Sequence, residues 1–297
     1  MRFLGPGDSS SVIEGLLDQK ATELGKHLSA DVLTYFGPIT NGVDVLFREA
    51  IDAMRQPKSE KLVVILETEG GFIEVVERMV VTMRQHYKTV DFVVPNFAMS
   101  AGTVLVMSGD AIHMDYFSIL GPIDPQIPRP DGSFVPAVGY LKQFERLIQK
   151  ANQNLLNQAE ATFLVEKFDP AELYQYERSE ALSVSLLKEW LAKYKFKNWH
   201  TTETKRTPVD QKTREQRAEQ IATILKDTDR WHSHGRGISA DVLRSIGLQI
   251  NDFQSDKVLN DGITEFYRLA ADFKQKHGLA GILHVSGTMI PIMGGRQ

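Results

Sequence analysis

Residues 61–95 constrain the fold of this chain more than any other stretch. Two β-branched runs, 61–68 (KLVVILET) and 89–95 (TVDFVVP), flank a segment in which Phe72, Val75, Val76, Met79, Val80, Met83 and Tyr87 recur at helical spacing. One apolar stripe on a helix between two strands is a βαβ unit, and it commits the region to a parallel sheet covered by helices. A further strand is expected at 31–39 (DVLTYFGPI), a second helix near Ser100, and short apolar pieces at 111–114 and 117–120. Pro122, Pro125, Pro128 and Pro130 then break any regular element. From about residue 138 the periods become helical, with Leu141, Phe144, Ile148, Leu155 and the 170–195 stretch. Ser239 can cap a short helix, 240–246, that ends at Gly247 and leads into a brief LQI strand. The expected organisation is an N-terminal helical segment (1–30), an α/β core (31–150), a helical extension (151–233) and a C-terminal part with tail that closes the core (234–297).

Composition narrows the chemistry. The 297 residues carry 34 Lys+Arg against 38 Asp+Glu, so no overall field attracts phosphate and no nucleic-acid partner is expected. The basic run 193–217 reads as a solvated connection into a helix. With no cysteine there is no thiol nucleophile and no thiolate metal site, which leaves an oxygen or an amine as the nucleophile. No H-E-x-x-H or other metal spacing occurs, and no G-x-G-x-x-G turn follows a strand, so neither a metal nor a nicotinamide cofactor is expected. The start lacks the build of a signal peptide, and no run of about 18 uncharged apolar residues occurs. A soluble, cytoplasmic protein is the expectation.

Two strand-to-helix turns carry the chemistry. In Pro95-Asn96-Phe97-Ala98-Met99-Ser100-Ala101-Gly102-Thr103, a strand ends and a helix begins at a hydroxyl flanked by small residues, which let a substrate backbone approach it. A helix N-terminus also favours developing negative charge on that oxygen, although a serine there can equally be a plain N-cap. The strand 61–68 ends in Thr68-Glu69-Gly70-Gly71. Paired glycines there can aim backbone amides into the cleft at the carboxyl ends of the strands, an oxyanion-hole arrangement. One βαβ unit delivers both turns to the same sheet edge.

The order T-E-G-G, helix, strand, A-M-S-A-G-T, then S-I-L-G-P-I-D-P-Q resembles the Clp/crotonase superfold, and most closely the serine dehydrogenase proteinase family of Clp-fold serine peptidases. It is also similar to signal peptide peptidase A and to the membrane-linked stomatin-cleaving peptidases. The likeness covers about residues 30–150 and, more loosely, 234–250 (HGRGISADVLRSIGL for the stretch 234–248). It implies a β-β-α spiral core with an additional helical half, a Ser100 nucleophile, and oxyanion amides from Gly70 and Gly71, with a further one from Ala101. It also implies peptide or protein substrates, a homo-oligomer, and the possibility of a separate ATPase or membrane partner.

The sequence leaves the general base open. A Clp protease subunit has a histidine about two dozen residues after the serine, where this chain has Ile123-Asp124-Pro125. Signal peptide peptidase types use a helical lysine further on, and Lys142 is the candidate, although aligning the helix starts puts Tyr140 at that position. A lysine base requires burial near the hydroxyl. Asp124 reads as a turn-forming residue or a carboxylate needing a histidine relay. His234 is a lone histidine that could reach the site from far along the chain, and a group from another subunit is the remaining option. Beside serine endopeptidase activity stand two alternatives: a crotonase-like coenzyme A thioester enzyme using the same amides, and a non-enzymatic Clp-fold oligomeric scaffold.

Overall fold

A computed structural model describes residues 9–54, 56, 58–124, 126–128, 134–202 and 206–294. The chain begins with α1 (Ser9–Leu28), β1 (Asp31–Phe36), α2 (Val43–Ala53), β2 (Lys61–Glu67), α3 (Ile73–His86) and β3 (Thr89–Val94). The site region follows, with β4 (Phe97–Ala98), α4 (Ala101–Met107), β5 (Ala111–Met114), β6 (Ile119–Leu120), β7 (Gln126–Pro128) and β8 (Phe134–Pro136). Helices α5 (Ala137–Asn152), α6 (Gln158–Lys167), α7 (Pro170–Trp190), α8 (Gln211–Lys226) and α9 (Thr228–Trp231) come next, with a π-helical turn at Leu191–Lys195. The chain closes through β9 (Ile238–Ser239), α10 (Ala240–Ser245), β10 (Asn251–Asp252), α11 (Lys257–Lys276), β11 (Gly281–Val285) and β12 (Thr288–Ile292).

Seven strands form the main sheet in the order β10-β5-β3-β2-β1-β11-β12. The β10, β5, β3, β2 and β1 strands are parallel, and β11 and β12 add an antiparallel edge. Because side chains alternate along a strand, the central strands β1, β2, β3 and β11 feed two cores. Leu33, Leu62, Val64, Leu66, Val90, Phe92 and Ile112 pack toward α2, α3, α4 and the far half of α7. Val32, Val63, Ile65 and Val93 pack on the other face with Leu17 and Leu24 of α1 and Ile263 and Phe266 of α11. The stripe on α3 is the expected one except at Phe72, which stands exposed at the N-cap; Val75, Val76, Met79, Val80 and Met83 are all buried, as is Tyr87 at the C-cap. A third cluster, built from Leu147, Phe168 and Leu173, joins α5, α6 and the start of α7.

Some expectations require correction. The N-terminal helical segment is α1, whose Leu17 is fully buried against α11 and the sheet while Val12 and Leu16 stay exposed. Ser239 stands at the N-cap of α10 without a side-chain cap hydrogen bond, and the brief strand falls at Asn251–Asp252 instead of on the LQI residues. The first strand stops at Phe36 and the apolar piece at 117–120 narrows to Ile119–Leu120. Pro125, Pro130 and Lys205 lie outside the described residues.

Candidate active site

A three-stranded sheet in the order β4-β6-β9 organises the site. β4 runs parallel to β6, and β9 is antiparallel to it, pairing Ile119 with Ser239 and Leu120 with Ile238. The chain that leaves β4 toward Ser100, the chain that leaves β6 toward Asp124, and the chain that enters β9 from His234 therefore lie at one end of this sheet. Thr103 fastens the first two strands from inside: its buried hydroxyl lies 2.8 Å from both Ala98 O and Gly121 O and accepts from Gly121 N at 3.0 Å. The fit at Gly121 is close, since a Cβ there would stand 3.0 Å from the backbone Cα of Met99.

Ser100 has φ 53° and ψ −122°. A non-glycine residue with positive φ is held there at a cost of about 1–3 kcal/mol, and such strain collects at functional sites. The plain N-cap reading does not describe this serine, because its side chain makes no cap hydrogen bond to α4. Its half-buried hydroxyl has no partner among the described residues. The helix that follows is buried at every position from Ala101 to Met107, which fixes the turn from behind.

The glycine turn meets this elbow directly. Gly70 has φ +96°, and a Cβ there would lie 2.6 Å from Met99 O and 2.9 Å from Ser100 Cβ, so only glycine allows the approach. The bridge between Thr68 and Ala98, with Thr68 N donating to Phe97 O at 3.1 Å and Met99 N to Thr68 O at 2.9 Å, sets that approach. Gly70 N donates to Thr68 Oγ1 at 3.0 Å, so this amide is already engaged. Gly71 bridges Ile39 through its neighbours, with Ile39 N donating to Gly70 O and Phe72 N to Ile39 O. In that pattern the Gly71 N–H points away from Ile39. The amides of Gly71 and Ala101 have no acceptor among the described residues.

The candidate bases separate clearly. Lys142 Nζ contacts Asp229 at 2.7 and 2.8 Å, and its side chain is 49% exposed. It makes no hydrogen bond to Ser100 and lacks the burial that a lysine base needs. Tyr140, at the position that aligns with the family lysine, donates to Lys167 O at 2.6 Å and packs on Phe168, and burial raises its pKa. Asp124, by contrast, is fully buried, and His234 Nδ1 lies 2.9 Å from its Oδ1. This is an ion-pair distance without hydrogen-bond alignment, and neither carboxylate oxygen nor His234 Nδ1 has a hydrogen-bond partner among the described residues. A buried carboxylate in that condition is costly unless a charge or donor faces it, and the imidazole is the group that does. The turn-forming reading of Asp124 finds no support, since its carboxylate accepts from no backbone amide among the described residues. In the sequence Asp124 and His234 stand singly; the pairing of I-L-G-P-I-D with H-G-R-G-I-S across β6 and β9 is what joins them, and only the fold supplies it.

Residues 30–162 match the family model of the ClpP-like SDH-type serine proteinases. The matched segment contains Gly70, Gly71, Ser100, Ala101, Asp124 and Lys142, and ends before His234. Two uncharacterized proteins of Methanocaldococcus jannaschii are also similar. MJ0137 is 35% identical over 92 residues, which are 30% of this chain and 32% of that protein. MJ1495 is 30% identical over 129 residues, 42% of each. The chain thus spans less than half the length of these curated relatives. Among solved structures, a variant of the 1510-N membrane-bound stomatin-specific protease in complex with a substrate peptide is similar with 23% identity and a TM-score of 0.32, over 49% of this chain and 70% of that one. A second variant of that protease gives 22% identity and a TM-score of 0.32, over 54% of this chain and 83% of that one. Among the described residues no group of His, Cys, Asp and Glu could hold a metal ion, and no helix is long and apolar enough to cross a membrane.

Proposed function

We propose that this protein is a serine endopeptidase in which Ser100 is the nucleophile, His234 the general base and Asp124 the group that orients the imidazole. The observation that carries this reading is the buried contact between Asp124 and His234 at the same end of the small sheet as the strained Ser100 turn. A carboxylate facing Nδ1 favours the tautomer with its proton on that atom, which leaves the Nε2 lone pair free to accept the serine proton. Ser100 Oγ then bonds to the peptide carbonyl carbon as His234 takes the hydroxyl proton. The tetrahedral oxyanion is received by backbone amides, and those of Gly71 and Ala101 have no acceptor among the described residues. Collapse breaks the C–N bond, His234 returns its proton to the leaving amine, and water repeats the sequence on the acyl-enzyme. In this reading Gly70 serves by allowing close approach, its own amide being held by Thr68.

Labelling by a fluorophosphonate probe tests the assignment. Wild type and Lys142→Ala are expected to label at similar rates, whereas Ser100→Ala is expected not to label and His234→Ala to label at least about a hundredfold more slowly. Loss of labelling in Lys142→Ala with full labelling in His234→Ala would transfer the base role to the lysine.

A further inference from the structure

Beneath the two turns lies a partly buried polar cluster, with Glu67 at its buried centre, that the chemistry above does not use. β2 and β3 stay in parallel register to Ile65 and Val93, after which the chain of β3 leaves the main sheet for β4. Glu67, the last residue of β2, and Asn96, the residue before β4, face each other where that departure occurs. Asn96 Nδ2 donates to Glu67 Oε2 at 3.0 Å and to Tyr267 Oη at 2.8 Å, and Tyr267 Oη donates to Glu67 Oε2 at 2.5 Å. Lys274, also on α11, stands 3.8 Å from Glu67 Oε1. The donor and acceptor pattern is self-consistent: an ionised carboxylate only accepts, the phenol gives it its proton, and the amide gives one hydrogen to each. Burial, and then the bond to Glu67, raise the Tyr267 pKa well above that of a free phenol, so its proton is kept for this bond.

We infer that Glu67, Asn96 and Tyr267 form a positioning clamp that sets the separation between the Gly70-Gly71 turn and the Ser100 elbow. The inference rests on the serine-peptidase reading. One bridge, Thr68 with Ala98, lies between the clamp and the point where Gly70 meets Ser100. A change in the spacing of residues 67 and 96 is transmitted through that bridge to the distance between the Gly71 amide and the serine oxygen. None of the three touches the reacting atoms; they act through the two turns. Tyr267 brings α11, some 170 residues later in the chain, under the site and so makes its geometry depend on the C-terminal part.

Saturation kinetics of fluorophosphonate labelling of the full chain test the clamp, with the maximal inactivation rate separated from probe affinity. Tyr267→Phe removes one donor and is expected to lower the maximal rate about tenfold with little change in probe affinity. Asn96→Asp sets one carboxylate against another and is expected to lower it about a hundredfold at pH 8, relative to wild type. That ratio recovers on acidification toward about pH 5.5, as the two carboxyl groups come to share a proton that restores a donor between them. A merely structural role would lower the melting temperature without this recovery of the rate ratio. Wild-type maximal rates in both variants would overturn the clamp while leaving the nucleophile assignment standing, and Tyr267→Phe decides alone if Asn96→Asp does not fold. Absence of labelling in wild type, or undiminished labelling in Ser100→Ala, would overturn the peptidase reading and the clamp with it.

Discussion

Substituting Gly70 by alanine adds one methyl group at the closest approach of the two turns. The new Cβ would lie 2.6 Å from Met99 O, 2.9 Å from Ser100 Cβ and 3.1 Å from Ala101 N, against about 3.4 Å for ordinary contact. Two of these three neighbours are backbone atoms, so no side-chain rotation relieves the clash. The turns must part by about 0.8 Å at Met99 O, and displacements near 1 Å in a catalytic arrangement cost about a hundredfold in rate. Holding alanine at φ +96° adds about 1–2 kcal/mol of backbone strain, a loss of several degrees in melting temperature at most. Gly70→Ala is therefore expected to fold, to melt a few degrees lower, and to lose about two orders of magnitude in labelling rate. Gly15→Ala is the control: nothing lies within 4 Å of that position in α1, so alanine is expected to stabilise by about 0.5–1 kcal/mol and leave labelling unchanged. Labelling of Gly70→Ala at the wild-type rate would refute the reasoning, because the elbow would then tolerate a separation that the geometry forbids.

Two further expectations concern the scaffold. Burial, partly offset by Asp91 and Asp110, brings the Lys195 amine down from its usual value to about 8, next to Asp110 O at 3.4 Å. Below pH 8 the amine is charged in the native and unfolded chains alike and its burial penalty is fully present. Between about 8 and 10.5 the unfolded chain holds the extra proton, so stability rises with pH. Urea denaturation of wild type against Lys195→Met at pH 7 and pH 9.5 should show wild type gaining on the variant at the higher pH; a constant difference would contradict the burial of the amine. Met79 is fully buried in the stripe of α3, so Met79→Asp should destabilise by several kcal/mol, measured as the fall in urea midpoint, and an unchanged midpoint would contradict the packing of α3 on the sheet.

The strand, helix and strand of 61–95, the α/β class and the two turns at Gly70 and Ser100 were legible in the sequence because each rests on local physics. A side-chain period of 2 or 3.6 and the small residues of a tight turn act over a few neighbouring positions. The amphipathic helix α11 and the β11-β12 hairpin are not among the elements expected from the sequence, although α11 builds one of the two cores and carries Tyr267. Tertiary structure alone decided what each polar group meets. Lys142 met Asp229, Thr68 Oγ1 took the Gly70 amide, and Leu17 of α1 found its place against α11. Asp124 and His234, 110 positions apart, met because two-residue strands pair at Ile119–Leu120 and Ile238–Ser239. Strands that short carry no periodicity, and their register is fixed by what packs around them. A contact made across that much chain leaves no spacing in the sequence by which to read it.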